Sequence, residues 1–198
     1  MTFPPNLAGA DSAAAHPLEL WKPVLLRALA ALAFGAVTIF WSTPSELGMG
    51  VAGGLYLLAT GAVLFWGIPP AGLRRDAQPG RILSAAASIL IGAGLTLMIL
   101  PGSLLFAVIA ALGIGLLAAA ELYFGLRFRR RHVLARDWLT SGVIGLGTAI
   151  ALSFFVSLGP HALLGVAGGG AIISGVLWIL AGLSLRHDAL KGAEKAVN

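Results

Sequence analysis

The sequence predicts an all-α integral membrane protein of six transmembrane helices, arranged as three parallel-topology helical hairpin repeats of about 57 residues. Three observations carry this expectation. Six apolar segments are each long enough to cross a bilayer, whose hydrocarbon core of roughly 30 Å needs about 20 helical residues. All 13 Lys and Arg fall on one side of those segments. Shifted by 57 positions, the chain matches itself: Gly35 falls on Gly92, Pro44 on Pro101, and Gly61 on Ala118 and then Gly175.

Composition excludes a soluble domain. Of 198 residues, 58% are hydrophobic and only 11% charged, where soluble domains carry about 25% charged residues. The mean hydropathy is +0.93. The net charge of +5 does not indicate nucleic acid, because the basic residues flank apolar runs and form no stripe on a polar face. Cysteine is absent, which removes disulfides, thiolate metal sites and cysteine nucleophiles.

Residues 1–20 are Pro- and Ala-rich and carry no Lys or Arg. They lack the basic start and small-residue cleavage site of a secretory signal, so a flexible cytoplasmic tail is expected, followed by an uncleaved first helix. The six-helix domain is expected over residues 21–186, with repeats of about 21–70, 81–127 and 138–186, and a second cytoplasmic tail over 187–198. The spans are roughly Pro23–Trp41, Leu47–Ile68, Ile82–Leu100, Leu104–Leu126, Trp138–Leu158 and Ala162–Leu185. They are continuous apolar runs without period-two alternation, hence helices and not barrel strands. Short links at Ser42-Thr43-Pro44, Pro101-Gly102-Ser103 and Gly159-Pro160-His161 join the first, second and third pairs. Proline cannot continue a helix interior and biases the preceding residue away from helix, so these are tight turns. The remaining links, Ala71–Arg81 and Arg127–Asp137, are longer and basic.

The cations lie at Lys22 and Arg27, at Arg74, Arg75 and Arg81, at Arg127, Arg129, Arg130, Arg131 and Arg136, and at Arg186, Lys191 and Lys195. None lies beside a short turn, so both termini are expected in the cytoplasm. With two crossings per repeat, the copies keep one orientation and are expected around a pseudo-threefold axis along the membrane normal, unlike inverted repeats. The third proline, Pro160, comes two residues late. Gly50-xxx-Gly54, Ala107-xxx-Ala111 and Gly165-xxx-Gly169 fit the small-residue spacing that lets membrane helices approach closely, inside the bundle or between copies of the chain.

Glu121 is the lone carboxylate inside an apolar run, and Arg27 sits just inside the first. A charge at mid-bilayer costs about 2.5–3.5 kcal/mol on insertion scales. Two opposite charges at similar depth can offset that cost, so Arg27 and Glu121 are a candidate intramembrane ion pair; the alternative is that each snorkels separately to the headgroups. Arg127, Arg129, Arg130 and Arg131 are candidate contacts for anionic lipid headgroups. On the fifth span, Ser141 and Thr148 share a face, while Thr140, Ser153 and Ser157 do not join it. These hydroxyls read either as a strip lining a pathway or as groups bonded to helix carbonyls.

His161 and Glu46 are the titratable side chains expected beside the short turns, and His16, His132 and His187 are expected among solvated charges on the basic side. Trp21, Trp41, Trp66, Tyr123, Trp138 and Trp178 are expected in the interfacial aromatic belt. No HExxH and no phosphate-binding Gly-Lys-Ser/Thr loop occurs, no Ser–His–Asp set can be assembled, and no convergent polar set is visible, so no catalytic residue, metal or cofactor is expected.

Two stretches resemble the HdeD-like acid-resistance membrane protein family. Leu26-Arg27-Ala28-Leu29-Ala30-Ala31-Leu32-Ala33-Phe34-Gly35 is similar to that family's opening helix, as is the proline after each odd helix. Glu121-Leu122-Tyr123-Phe124-Gly125-Leu126-Arg127-Phe128-Arg129-Arg130 resembles the end of its second repeat. The similarity spans about Trp21 to Arg186; Ala28 and Ala118 stand where glycine is usual. The resemblance implies a six-helix protein of the bacterial inner membrane, linked in some members to survival of acid stress, and brings no catalytic residues. A non-enzymatic role in acid or envelope stress is therefore expected, with the lipid bilayer, other copies or other membrane proteins as partners. The alternative is a small-solute or proton pathway through the bundle, which a water-filled cavity reaching Glu121 or the hydroxyls of the fifth span would favour, whereas a dry, fully packed centre would favour the first reading.

Overall fold

The computed structural model describes residues 17–197, with side chains from Glu19 to Gly192. The expected tail over residues 1–20 lies outside the described residues up to His16. Among the described residues there are six α-helices and no strand: α1 Pro17–Phe40, α2 Glu46–Gly67, α3 Gln78–Ile99, α4 Ser103–Arg127, α5 Ala135–Phe154 and α6 Gly159–Val197. All six are long and apolar enough to cross a membrane.

Helix ends differ from the sequence expectation where local chemistry overrides hydropathy. α1 starts at Pro17, so Pro23 is inside the helix and not at its start. Leu20 is buried with Val24 in the apolar core that also holds Leu83 and Trp178, and this burial extends the helix into the expected tail. α5 stops at Phe154, and a 3-10 turn over Val156–Leu158 leads to Gly159, whose φ of 82° is left-handed backbone that glycine adopts freely. α6 continues as helix to Val197, through the stretch expected as a tail.

The helices form a ring in which neighbours in sequence are neighbours in space and α6 closes on α1. Packing alternates around the ring. The pairs α2–α3, α4–α5 and α6–α1 are closest, and the pairs joined by the short turns, α1–α2, α3–α4 and α5–α6, are looser. Glycine explains the close pairs, because a missing Cβ lets one backbone reach another. A Cβ on Gly54 would stand 2.6 Å from the Gly94 carbonyl oxygen, and one on Gly61 2.7 Å from that of Ala87, both across α2–α3. Gly142 faces the Ala118 carbonyl at 3.0 Å across α4–α5, and Gly175 faces that of Ala28 at 3.3 Å across α6–α1. Gly50 also touches α3, at the Leu97 carbonyl, and Ala107 is buried. Gly165 and Gly169 meet nothing within 4 Å. The working face of α6 carries Gly168, Gly175 and Gly182, each against α1, at a spacing of seven that returns to one face after two turns.

Two apolar cores fill the ring. One, around Met49, Leu57, Leu97, Phe106, Leu152 and Leu163, lies towards the short turns. The other, around Val24, Ile68, Leu83, Phe124, Trp138 and Leu185, lies towards the basic links. The outside is apolar as well: Leu29, Ile39, Leu112, Ile150 and Leu180 are all more than half exposed. A continuous apolar exterior of this kind is the surface of a protein solvated by lipid. At the short-turn end, Glu46 accepts hydrogen bonds at Oε1 from the backbone N–H (3.1 Å) and hydroxyl (2.8 Å) of Ser103. Glu46 thereby caps the start of α4 and fastens the first short turn to the second.

Candidate functional site

Between the two cores lies a polar centre. Nη2 of Arg27 on α1 and Oε1 of Glu121 on α4 form an ion pair. The two side chains are 14% and 4% exposed, so little solvent screens the pair. Glu121 is six residues before Arg127, about 9 Å into α4, too deep for a side chain this short to snorkel. Arg27 lies deeper than its place in the sequence suggests, because α1 begins at Pro17. Its guanidinium also stacks over the Trp178 ring of α6, 4.5 Å from the centroid, a cation–π contact worth about 2 kcal/mol where water is excluded. The Trp178 indole N–H donates to Ser141 Oγ of α5 at 3.1 Å. One connected set of contacts therefore joins α4, α1, α6 and α5.

A cavity of about 40 Å³ opens beside the pair. Its polar lining comes from Arg27, from Tyr56 and Thr60 of α2, from Glu121, from Ser141 and Thr148 of α5, and from Ser174 and Trp178 of α6. The Thr60 hydroxyl is buried beside that of Tyr56, one turn earlier on α2, and a buried hydroxyl normally has a partner or a water beside it. Thr148 donates to the Ile144 carbonyl of its own helix at 2.9 Å, which leaves its oxygen free to accept from the cavity. These residues correct the expectation that no convergent polar set exists. Each helix except α3 contributes a polar side chain, and none contributes enough for the cluster to stand out in the sequence.

The other hydroxyls of α5 satisfy themselves locally: Thr140 bonds to the Asp137 carbonyl at 3.1 Å and Ser153 to that of Ala149 at 3.5 Å. Ser157 lies in the 3-10 turn, away from the centre. Two expected belt residues, Trp138 and Trp178, are instead buried at 6% and 2% exposure, each engaged by a polar or charged neighbour. Trp66 and Tyr123 remain about half exposed.

At the basic end the arginine cluster divides. Arg129 and Arg130 join Arg136, His132, Val133 and Leu139 around a surface pocket of about 390 Å³. Arg127, the last residue of α4, and Arg131 lie outside it. Among the described residues, none of these arginines has a carboxylate within 4 Å. His132, expected among solvated charges, is instead half-buried and bonded at both ring nitrogens. His161 is exposed at the start of α6, and His16 lies outside the described residues. The described residues hold no cluster of three His, Cys, Asp or Glu that could bind a metal ion.

No protein-family model matches this chain, and neither a curated protein nor a solved structure is significantly similar to it.

Proposed function

We propose that this chain is a non-enzymatic, proton-exchanging membrane protein whose working site is the polar centre at Arg27 and Glu121. The observation that carries the proposal is the cavity of about 40 Å³ beside that pair. A dry, packed centre would make the bundle a scaffold; a polar cavity touching a buried carboxylate supports traffic of water and protons. A water molecule needs about 10–15 Å³ of such space, so the cavity holds on the order of two waters, far below the roughly 300 Å³ of a small-molecule site. Of the ion pair, only the carboxylate can take up a proton, because a guanidinium does not release one in proteins. Protonation at Glu121 would dissolve the pair while Trp178 still holds Arg27, so arrival of a proton loosens α4 from α1 without expelling the cation. Intramembrane carboxylates in proton-handling proteins have this character.

The wider setting is part of the same proposal. The resemblance to the HdeD-like family supports a bacterial inner-membrane location and a role in acid or envelope stress. The alternating tight and loose packing supports three hairpins of one orientation about a pseudo-threefold axis. The one-sided cations support cytoplasmic termini, and Arg127, Arg129, Arg130 and Arg131 would then meet anionic lipid, at about 1 kcal/mol each near the surface.

Proteoliposomes with an entrapped pH-sensitive dye test the chemistry. After an external acid jump, vesicles with the native chain should acidify faster than empty vesicles, and Glu121→Gln should return the rate to that of empty ones. Equal rates for the native chain and Glu121→Gln would overturn the proposal. A strain lacking the protein, challenged at low pH and complemented with either form, tests the physiology: survival unaffected by the deletion removes the stress role.

A further inference from the structure

His132 sits where the basic links meet. Its Nδ1 accepts a hydrogen bond from the Leu134 backbone N–H at 3.1 Å, and its Nε2 lies 3.0 Å from the Ala71 carbonyl oxygen. Those partners fix the neutral tautomer, with the proton on Nε2 donated to Ala71. The ring also stacks on Trp138, with centroids 4.6 Å apart, and meets the edge of Phe128. One imidazole therefore ties the link after α2 to the link before α5.

Beneath it lies a second space, of about 60 Å³ and partly open to the outside. Ala71, Leu134 and Trp138, the three residues His132 binds or stacks on, line one end of it. Arg27 and Trp178 line the other end, and the same two residues also line the polar centre. From the basic face inward the order is His132, an apolar vestibule, Arg27 with Trp178, and then Glu121.

Resting on the proton-exchanging centre proposed above, we propose that His132 is the latch that closes the basic-face entrance to that centre, and that its protonation opens it. A proton added at Nδ1 would point at the Leu134 N–H, so that hydrogen bond must break. The bond to Ala71 and the stack on Trp138 survive protonation, but the charged ring gains more from water than from a half-buried seat. Burial accordingly holds the His132 pKa below its ordinary value, against the opposing pull of the Ala71 carbonyl.

The charges around it act in the same direction. From its own link Arg129 and Arg130 face it, and from α5 Arg136 does, all around one pocket that no carboxylate lines. Asp137 of α5 directly follows Arg136, whose charge acts on it. On the link after α2, Arg74 is paired with Asp76, and Arg75 stacks over Phe65. Among the described residues, no carboxylate pairs with His132 in the latched position. With the latched pKa below about 6.5, the latched form keeps its full stability above that pH and loses it as pH falls through it.

The chain has no cysteine, so a single reporter thiol can read the latch directly. Ile68→Cys places a thiol in the vestibule lining, at a site 1% exposed in the native chain. Its labelling by a water-soluble maleimide is divided by that of Leu190→Cys, a site 58% exposed, to remove the pH dependence of the thiol itself. One proton can shift an equilibrium at most about tenfold per pH unit, and a rise of roughly three- to tenfold in the ratio is expected between pH 7.5 and 5.5. In His132→Gln and His132→Asn, which cannot take up the proton, the ratio should be flat with pH. A flat ratio in the native background, or an undiminished rise in both variants, overturns the latch. The rise should persist in Glu121→Gln, so failure of the proton-exchange assay and failure of the latch are separate results.

Discussion

Arg27 and Glu121 form the pair on which the interior turns, and a double-mutant cycle measures it. Removing one partner of a buried ion pair costs about 3–5 kcal/mol, because the other charge is left uncompensated. In Glu121→Gln the guanidinium keeps the Trp178 ring at 4.5 Å, which places the loss near the lower end, about 3 kcal/mol. In Arg27→Gln that ring contact is lost too, but the abandoned carboxylate can neutralise itself by binding a proton, so about 3 kcal/mol is again expected. The double variant puts two neutral amides beside Ser141, Thr148 and the cavity. Neutral replacements of a buried pair cost little, roughly 0–2 kcal/mol. The single losses would sum to about 6 kcal/mol, so the cycle should show a coupling of about 4–6 kcal/mol. For a chain near 200 residues, about 1 kcal/mol moves Tm by roughly 2–4 °C. Thermal unfolding in detergent should then show each single variant lower by on the order of 10 °C and the double variant closer to native. Additivity within about 0.5 kcal/mol would refute the pair, since non-interacting sites behave that way.

Further outcomes follow from the helix contacts and the charge asymmetry. Gly54→Ala forces a Cβ to 2.6 Å from the Gly94 carbonyl oxygen and should cost about 1–3 kcal/mol by overpacking, whereas Gly165→Ala meets nothing within 4 Å and should be neutral or stabilising by up to about 1 kcal/mol; thermal unfolding of the two compares them. Glu46→Ala strips the cap from Ser103 and should lose about 1 kcal/mol, with faster amide exchange confined to the start of α4. His161→Cys, the lone cysteine in that variant, should react with a membrane-impermeant maleimide in intact cells. Labelling only after lysis would reverse the orientation.

The spans were legible because hydropathy and proline act locally: Pro44 and Pro101 mark the first two short turns whatever the helices pack against. The third turn lies at Val156–Leu158, and the expected turn residues Gly159, Pro160 and His161 open α6 instead, since a proline is tolerated in a helix's first turn. The ends of the spans were less legible, since Leu20 and Val24 in the first turns of α1 are buried in a core shared with other helices, α6 among them, which one stretch of sequence does not display. Charge made half of the polar centre visible. Arg27 and Glu121 stand out because a charge in an apolar run must be compensated. Tyr56, Thr60, Ser174 and Trp178 do not stand out, because a single polar group in a span is cheaply satisfied by its own helix. A signal was present all the same: Tyr56 and Thr60, like Ser174 and Trp178, are four residues apart, and Ser141 and Thr148 are seven apart, so each pair marks one helix face. What the sequence withholds is which faces meet. The packing resolves that through glycine: Gly175 against Ala28 draws α6 onto α1 one residue from Arg27, and Gly142 against Ala118 draws α5 onto α4 one turn from Glu121. The glycines that look like generic packing residues therefore set the distance between the two charges. Widening either contact should weaken the Arg27–Glu121 coupling even though neither glycine touches the pair.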